Sequence, residues 1–386
     1  MNAFEGLTVL DFSQGIAGPV CAAILGRQGA QVIKVEPPRG DWIRHAGATR
    51  GGLSANAIAG NLGKRSLALD VARPEGRAVA LKLAASADVV VENFRPGVMK
   101  KLGLDYAALR ALRPDLVYCS ISGFGASGPL VGKAATDSVV QAWSGMAVAN
   151  AAADGTPRRV GLFVPDNITA LYAAQAVSAA LYARASHGRG AHLELSLAAC
   201  CAAFQAGPMI DAALFPGTRL PVFAPAGEFR CADAWIVVAC LDDAMFGRMA
   251  AALGKAEWGE DARFAMNDER KPRLREINRM VGDVLAGDTA AAWLAKLDAA
   301  DVLCSAINDY AAAIDDAQMR HMATMQTIEQ APFGNVAVPR MPLEEGALPP
   351  APRVGEHSRA VLAAAGYDAA AIAGLIERGV VAAPGA

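Results

Sequence analysis

Short apolar runs alternate with amphipathic segments along the first 125 residues. Runs typical of buried strands cover residues 7–12, 31–36, 67–70, 88–92 and 116–122. Segments with helical periodicity lie between them, at residues 17–28, 74–86 and 106–112. Strands rich in valine and isoleucine that alternate with helices are typical of βαβ units and a parallel sheet. The pattern therefore predicts an α/β fold with a doubly wound, Rossmann-like parallel sheet.

The pattern changes in the second half of the chain. A long alanine-rich helix is predicted to open at Asp166 and to run to about residue 185, and four prolines in residues 208–225 then indicate a linker. Residues 228–241 have the pattern of a hairpin. The predicted domains are a first part of the large domain at 1–205, a linker at 206–226, a small α+β domain at 227–315, a return linker at 316–350 and the last part of the large domain at 351–386.

Composition supports a large core and excludes some classes of partner. Hydrophobic residues make up 53% and charged residues 19%, so wholesale disorder is excluded. The net charge is −2, so the protein has no overall field that would attract nucleic acid or an anionic membrane. An anionic ligand must instead be held by a local group of basic side chains.

The cysteines and the N-terminus point to a reducing compartment. Most of the seven cysteines lie in apolar runs, without CxxC or Cys/His spacing, so they are interpreted as buried hydrophobes, and no metal site is predicted. The first residues lack a basic segment followed by an apolar core, and no run of about 18 apolar residues occurs. We expect a cytoplasmic protein that does not enter a membrane.

Residues 123–128 (GFGASG) match the G-x-G-x-x-G pattern of dinucleotide-binding loops and follow a good strand. Pro129 comes directly after the last glycine, and no amphipathic helix starts there. The acidic residue expected about 20 residues further on, at the end of a second strand, is also missing. The glycines instead predict that the backbone here passes close to a neighbouring group, of the protein or of a ligand, at the carboxyl edge of the sheet.

Two features carry candidate chemistry. Asp166 lies at the start of a long apolar helix, where an aspartate serves as a helix cap, or as a carboxylate kept ionised by the positive helix end. Such a carboxylate is suited to attack a thioester. Basic and amide residues also lie at the ends of predicted strands. Lys64-Arg65 precedes the run at 67–70, Asn93-Phe94-Arg95 follows the run at 88–92, and Lys100-Lys101 comes soon after. They fall either on a solvated loop or where a nucleotide phosphate could be bound.

Seven blocks of sequence resemble the signature blocks of the family III CoA-transferases. They occur in the family's order across nearly the whole chain: VLDFSQGIAGP (9–19), GAQVIKVEPPRGD (29–41), GKRSLALD (63–70), VVVENFRPGVMKKLGLD (89–105), SGFGASGP (122–129), RVGLFVPDNITALYAA (159–174) and PRVGEHSRAVLAAAGY (352–367). This family includes formyl-CoA and carnitinyl-CoA transferases and α-methylacyl-CoA racemases. The resemblance implies an enzyme with an acyl-CoA and a carboxylic acid as substrates, and with coenzyme A as substrate, not as a tightly bound cofactor.

The resemblance also implies roles for particular residues. Asp166 falls on the family's catalytic aspartate, which forms an acyl anhydride and then an aspartyl-CoA thioester. The positions matching the family's CoA contacts are Ile16, Ala17, Arg39, Leu69, Asn93, Phe94, Arg95, Lys101 and Asp137. Lys101 would supply a cation to a CoA phosphate. The expected assembly is a homodimer of two interlocked, ring-like chains.

Some positions depart from the family pattern and define the alternatives. Pro37 and Pro38 separate Arg39 from its strand, and the glycine-rich loop of the formyl-CoA transferases has no counterpart, which argues against oxalate as acceptor. The racemases have a histidine just before the position of Asp137. Here it is Thr136, which cannot act as a base near neutral pH. The other alternative is a non-catalytic homologue that binds acyl-CoA.

Overall fold

The structure is a computed structural model, and it describes residues 2–152, 154–217, 220–342, 344 and 346–384. The chain divides into two compact units. The large unit combines Met1–Gly207 with Ala323–Ala386, and the small unit is Pro208–Met322. Each is described here by itself.

Strands and helices alternate along the first part of the large unit. The strands are β1 (Thr8–Asp11), β2 (Gln31–Glu36), β3 (Thr49–Arg50), β4 (Leu53–Ser54), β5 (Arg65–Leu69), β6 (Val89–Glu92), β7 (Val117–Ser122) and β8 (Ala191–Ser196). The helices are α1 (Ala17–Arg27), α2 (Ala55–Ala59), α3 (Pro74–Ala84), α4 (Val98–Leu102), α5 (Tyr106–Leu112), α6 (Asp137–Trp143), α7 (Met146–Ala149), α8 (Val164–His187) and α9 (Leu197–Phe204).

The small unit is built on a three-stranded antiparallel sheet with its own buried core. Its sheet order is β11–β10–β9, and the aromatic side chains buried in that core are Phe229, Phe246, Phe264 and Trp293. The elements from residue 206 onward are α10 (Ala206–Leu214), β9 (Ala226–Arg230), β10 (Trp235–Ala239), α11 (Asp243–Ala252), α12 (Asn267–Arg270), α13 (Leu274–Leu285), α14 (Ala290–Ala299), β11 (Leu303–Ala306), α15 (Tyr310–Ile314) and α16 (Ala317–His321).

The end of the chain returns to the large sheet. Its elements are β12 (Met325–Gln330), β13 (Gly334–Pro339), α17 (Ser358–Ala364), α18 (Ala369–Glu377) and β14 (Val381–Ala382). The seven-stranded sheet has the order β14–β5–β2–β1–β6–β7–β8. All neighbouring pairs are parallel except β14 and β5.

Alternate residues of the central strands face two separate cores. Val9 of β1 and Cys119 of β7 pack with α1 and α8, whereas Leu10 and Tyr118, their neighbours in sequence, pack on the other face with α3 and α17. Because both faces are covered by helices, the strands are apolar on both sides, as the continuous apolar runs predict. The predicted α/β class with a mostly parallel central sheet is confirmed.

One local prediction is wrong, and the two predicted linkers contain regular elements that the sequence pattern did not indicate. Helix α8 begins at Val164, so Asp166 lies inside its first turn and does not open it. The segment 206–226, predicted as a linker, contains helix α10, whose Pro208 lies in the first turn, where no backbone N–H is needed. The predicted return linker contains α16 and the β12–β13 hairpin. The hairpin accommodates its prolines because Pro332 lies at the turn and Pro339 at a strand end. The limits of the predicted domains stay predictions.

Within the described ranges, no single helix has the length and apolarity needed to cross a membrane. The consecutive helices α9 and α10 pass that test only as a bent pair, on length and composition alone.

Candidate active site

A cavity of about 560 Å³ lies at the carboxyl ends of β1, β6 and β7. The residues that follow β1 and β6 form one side of it, and the segments that open α6 and α8 form another. The direction in which the sheet is built reverses between β1 and β6. Doubly wound sheets bind ligands at such switch points, so this is the first place to look for chemistry.

Seven of the ten predicted site residues line this cavity. They come from two loops and three helix starts: Ile16, Ala17, Asn93, Phe94, Arg95, Asp137 and Asp166. The structure therefore brings the predicted catalytic aspartate together with most of the predicted CoA contacts. Their roles in binding CoA stay predictions.

Arg39, Leu69 and Lys101 are not among the described lining residues. Arg39 and Lys101 are exposed on the surface of the large unit, in a turn and on α4. Leu69 ends β5 with its side chain packed in the core, so only its backbone could meet a ligand. The sequence pattern located Leu69 at a strand end but could not show that its side chain points inward.

Asn93 fixes the loop that follows β1. Its Nδ2 donates to the Gln14 carbonyl at 2.6 Å, and its Oδ1 accepts the Gln14 N–H at 2.7 Å. Both ends of the amide are thus engaged by one backbone unit. Asn93 lines the cavity, but its side chain serves first to hold residues 14–17 in place there.

Gly15 in the same loop is required by its surroundings. Its φ is +79°, and a Cβ at this position would lie 2.7 Å from Cζ2 of Trp42. Its N–H donates to both carboxylate oxygens of Asp41 at 3.1 Å. The loop is therefore held against the turn at Trp42–His45, and Trp42 itself lines the cavity.

Beneath the loop lies a buried ionic network that the sequence analysis missed. Lys34 contacts Asp41 at 2.9 Å and Asp11 at 3.9 Å, Lys64 contacts Asp11 at 2.7 Å, and all four side chains are almost fully buried. Burial lowers the pKa of Lys64 to about 8, while Asp11 acts in the opposite direction. A signal was present in the sequence, since Asp11 and Lys34 interrupt apolar strands that are otherwise buried on both faces.

The Asp166 carboxyl is half-buried in the first turn of α8. The N-cap residue, Phe163, makes no side-chain cap bond, and the carboxylate of Asp137 accepts the N–H of Asp166 in the first turn instead. Burial, and then the charge of Asp137, raise the pKa of Asp166 from 3.8 to about 7. This raised pKa departs from the expectation of a carboxylate that the positive helix end keeps ionised. Desolvation and repulsion outweigh the attraction of the positive helix end.

Asp137 holds the backbone of its neighbour. Its Oδ2 accepts the Asp166 N–H at 3.3 Å, and its Oδ1 accepts Nε2 of Gln141 at 2.6 Å. Burial raises the pKa of Asp137, and the bonds from Gln141 and Asp166 act against that rise. Two carboxyls thus share one pocket, an arrangement in which their ionisations are coupled.

The glycine loop and Thr136 complete the wall. A Cβ on Gly123 would lie 2.1 Å from Cβ of Ala135, so the glycine permits residues 123 and 135 to approach each other closely. The next described helix after the glycine-rich segment 123–128 starts only at Asp137, so no helix follows that segment directly. The dinucleotide-loop interpretation is thereby excluded. Thr136 lines the cavity, whereas none of the chain's five histidines, all of them in the described ranges, does so.

A second cavity, of about 950 Å³, shares Phe94 and four other residues with the first. Its wall includes Tyr106 and His192, whose rings stack at 4.7 Å, and Ser120, whose Oγ lies 3.1 Å from Nε2 of His192. Phe94 is the only predicted site residue among its described lining residues. The smaller cavity, which holds both Asp137 and Asp166, is therefore the better candidate for catalysis.

The sequence model described as CoA-transferase family III matches residues 4–358. The chain belongs to CoA-transferase family III. It is 35% identical over 318 residues to the acetyl-CoA:oxalate CoA-transferase of Acetobacter aceti, covering 80% of this chain and 82% of the relative. It is also 32% identical to the succinate–glutarate CoA-transferase of Agrobacterium fabrum, covering 93% and 94%.

The solved structures agree with this assignment. A CAIB/BAIF family protein from Brucella suis matches with a TM-score of 0.84 and 32% identity, covering 94% of this chain and 99% of that one. The protein is therefore an enzyme, a family III CoA-transferase that acts on CoA thioesters and carboxylic acids. The predicted family is confirmed.

Proposed function

We propose that this family III CoA-transferase moves CoA between two acids through covalent intermediates on Asp166. The ionised carboxylate attacks the carbonyl carbon of the donor thioester, the C–S bond breaks, and CoA leaves as its thiolate. An aspartyl acyl anhydride remains. The thiolate then attacks the aspartyl carbonyl of the anhydride, which releases the donor acid as a carboxylate and forms an aspartyl-CoA thioester.

The second half of the exchange repeats these steps in reverse. The acceptor carboxylate attacks the aspartyl-CoA thioester and expels the thiolate, giving a new mixed anhydride. The thiolate attacks the acceptor carbonyl, which forms the new acyl-CoA and returns Asp166 as a carboxylate. No net proton, oxidant or reductant is needed, so the chain's own carboxyl suffices for the chemistry.

The observation that carries this proposal is the position of Asp166 in the cavity beside six of the predicted CoA contacts. Its pKa of about 7 adds support. At neutral pH a substantial fraction is ionised and can attack, and a carboxylate of higher pKa is a stronger nucleophile than an ordinary one. The Thr136 side chain at the cavity wall supplies no base for racemisation.

We further propose a short acyl-CoA as donor and a small dicarboxylic acid as acceptor. The cavity wall includes two cations, Arg95 and Lys133, which can meet a phosphate or a second carboxylate. The curated relatives named above use acetyl-CoA with oxalate, or succinate with glutarate. Because the Acetobacter aceti relative is named for oxalate, oxalate is again a candidate acceptor, beside the longer dicarboxylic acids.

The test is to trap the adduct. The protein is incubated with acetyl-CoA or succinyl-CoA and hydroxylamine, digested, and examined by mass spectrometry. We expect a hydroxamate at Asp166, no hydroxamate in Asp166→Asn, and an unchanged yield in Asp154→Asn, which removes an exposed carboxyl from a nearby loop. The absence of any adduct on Asp166 across a panel of acyl-CoAs would rule out the covalent mechanism and favour a non-catalytic binding protein.

We also propose that the enzyme is a homodimer of interlocked chains. Large apolar side chains project into solvent from consecutive helices of the large unit: Leu171 and Tyr182 on α8 are 62% and 77% exposed, and Phe204 on α9 is 59% exposed. Strand β8 ends the sheet order next to these helices. An apolar face of this kind is typical of a surface covered by another chain.

A further inference from the structure

Gln141 is a buried side chain that connects two segments of the candidate site. It lies on α6, is 1% exposed, and is not itself among the residues that line the cavity. Its Nε2 donates to Oδ1 of Asp137 at 2.6 Å and to the carbonyls of Leu162 and Val160 at 3.1 and 3.3 Å. Its Oε1 accepts the Val160 N–H at 2.8 Å. Both ends of the amide are thus fully used.

These bonds join α6 to the entry of α8. Val160 and Leu162 belong to the irregular segment that leads directly into α8, where Asp166 occupies the first turn. Asp137 in turn accepts the Asp166 N–H at 3.3 Å. One side chain therefore fixes Asp166 along two routes, through the backbone that precedes it and through the carboxylate that faces it.

Few other groups could take over this task. Within the described chain, the side-chain bonds recorded for the Asp137 carboxylate are those from Gln141 and from the Asp166 N–H. Arg159 acts on Asp137 by its charge, but its guanidinium donates to Oγ of Ser138 at 2.6 Å. Burial raises the pKa of the nearby Cys201 thiol, and the charge of Asp137 adds to that rise, but no hydrogen bond from Cys201 to this carboxylate is present among the described residues. Without Gln141, a buried carboxylate would keep one long bond.

We propose that Gln141 is a positioning residue for the nucleophile: it holds Asp166 at the angle and distance that attack on the thioester requires. This inference rests on the proposed role of Asp166. A displacement of about 1 Å in a reacting group can cost up to about 100-fold in rate. A side chain with four bonds at the entry of α8 is placed to prevent such a displacement.

Two variants of Gln141 and one control separate positioning from general stability. Gln141→Leu removes all four bonds. Gln141→Glu keeps the shape and the acceptor for Val160, but it places a third carboxyl against Asp137. The control is Gln205→Leu: Gln205 is also buried, and it donates to the carbonyls of Ser144 and Cys201 and to Sγ of Cys201, with no bond to Asp137 or to the entry of α8.

We expect Gln141→Leu to slow adduct formation at Asp166 by about 10-fold or more, with the KM for the acyl-CoA little changed. Gln141→Glu should shift the rise of the rate to higher pH, because the last of three neighbouring carboxyls loses its proton later. Gln205→Leu should change neither quantity, although it lowers the melting temperature in the same way as Gln141→Leu. Equal rates and pH profiles in all three variants would overturn the proposal.

A measurement that does not depend on the reaction distinguishes the proposed role of Gln141 from the proposed covalent mechanism on Asp166. Labelling of Asp166 by a water-soluble carbodiimide and an amine requires the protonated carboxyl, so its pH midpoint reports that ionisation. If the wild-type protein forms no adduct, the covalent mechanism fails. Even then, a labelling midpoint that moves to higher pH in Gln141→Glu would show that residue 141 controls the ionisation of the Asp166 carboxyl. If the midpoint stays constant, or if both Gln141 variants lose the native circular dichroism spectrum, Gln141 is a structural residue only and the proposal is wrong.

Discussion

Two carboxyls, Asp137 and Asp166, define the chemistry of the site at the scale of single residues. Asp137 is buried and Asp166 is half-buried, and the Asp137 carboxylate accepts the backbone N–H of Asp166. Repulsion between two such groups favours a state in which one of them carries the proton near neutral pH. The pKa of Asp166, the proposed nucleophile, therefore lies close to neutral pH.

The pKa of Asp166 predicts how the half-reaction with the donor depends on pH. Only the ionised carboxylate attacks, so adduct formation should rise with pH through a midpoint of about 7 and fall below it. In Asp137→Asn the midpoint should move to lower pH, because the repelling charge is gone. Single-turnover rates with acetyl-CoA between about pH 5 and pH 9 check both statements. A wild-type midpoint near 4 would contradict them.

At this scale the sequence was a better guide to which residues line the cavity than to what their side chains contact. The blocks of sequence identified Asn93 and Asp137, but both side chains are engaged by the protein's own backbone. Asp41 and Gln141 were missed altogether. Their roles depend on partners 19 to 26 residues away that only the folded chain brings together.

At the scale of elements, the loop at residues 14–17 forms one wall of the cavity. It has little regular structure of its own, and its shape comes from Asn93 on one side and Asp41 on the other. The buried lysines Lys34 and Lys64 neutralise the carboxylates beneath it. A loop held in this way is pre-organised for a ligand, which lowers the entropy lost on binding.

Gly15→Ala tests whether the loop must pack against Trp42. The new Cβ would meet the indole at 2.7 Å and force one of the two away from the cavity wall, so CoA should bind about 10-fold more weakly. Gly52→Ala is the matched control, since its φ of +73° imposes similar backbone strain with nothing within 4 Å of the new Cβ. Calorimetric titration with CoA measures both. Equal losses of affinity would mean that backbone strain alone is responsible.

The boundaries of elements were the least predictable part of the fold. Local chemistry favoured Asp166 as a helix cap, but Pro165 before it fits the first turn, since its fixed φ is helical and its missing N–H has no partner there. The helix therefore starts earlier. The β12–β13 hairpin was hidden by its prolines and by the apolar run at residues 336–338, which shows no alternation of side-chain type, although burial does alternate along β13.

At the scale of the whole molecule, the class of fold could be predicted from the sequence. The class follows from the pattern of many positions together, so errors at a few of them do not change it. Apolar runs buried on both faces require a sheet covered by helices on both sides, and a few misplaced boundaries do not change that requirement. The antiparallel strand β14 was not predicted, since two residues at the edge of a sheet leave no pattern that can be recognised.

The proposed homodimer predicts a mass in solution of twice 39.8 kDa. Leu171→Arg should lower that mass, because it places a charge on the exposed apolar face of α8. Leu112→Arg is the control, since Leu112 is 48% exposed on α5, outside that face. Light scattering at low protein concentration distinguishes the outcomes. A wild-type protein with the mass of one chain would refute the dimer.

The large unit is assembled from two distant parts of the chain, and this affects how it folds during synthesis on the ribosome. Val361, Leu362, Ile372 and Leu375 complete one face of the central core, and β14 covers the open side of β5. None of them has been synthesised when the N-terminal strands emerge. The small unit is contiguous and precedes them, so a nascent chain that has reached residue 350 contains every residue of the small unit and an unfinished large one. A stall or truncation there leaves an open apolar surface, which makes the last stretch of translation the step most exposed to aggregation.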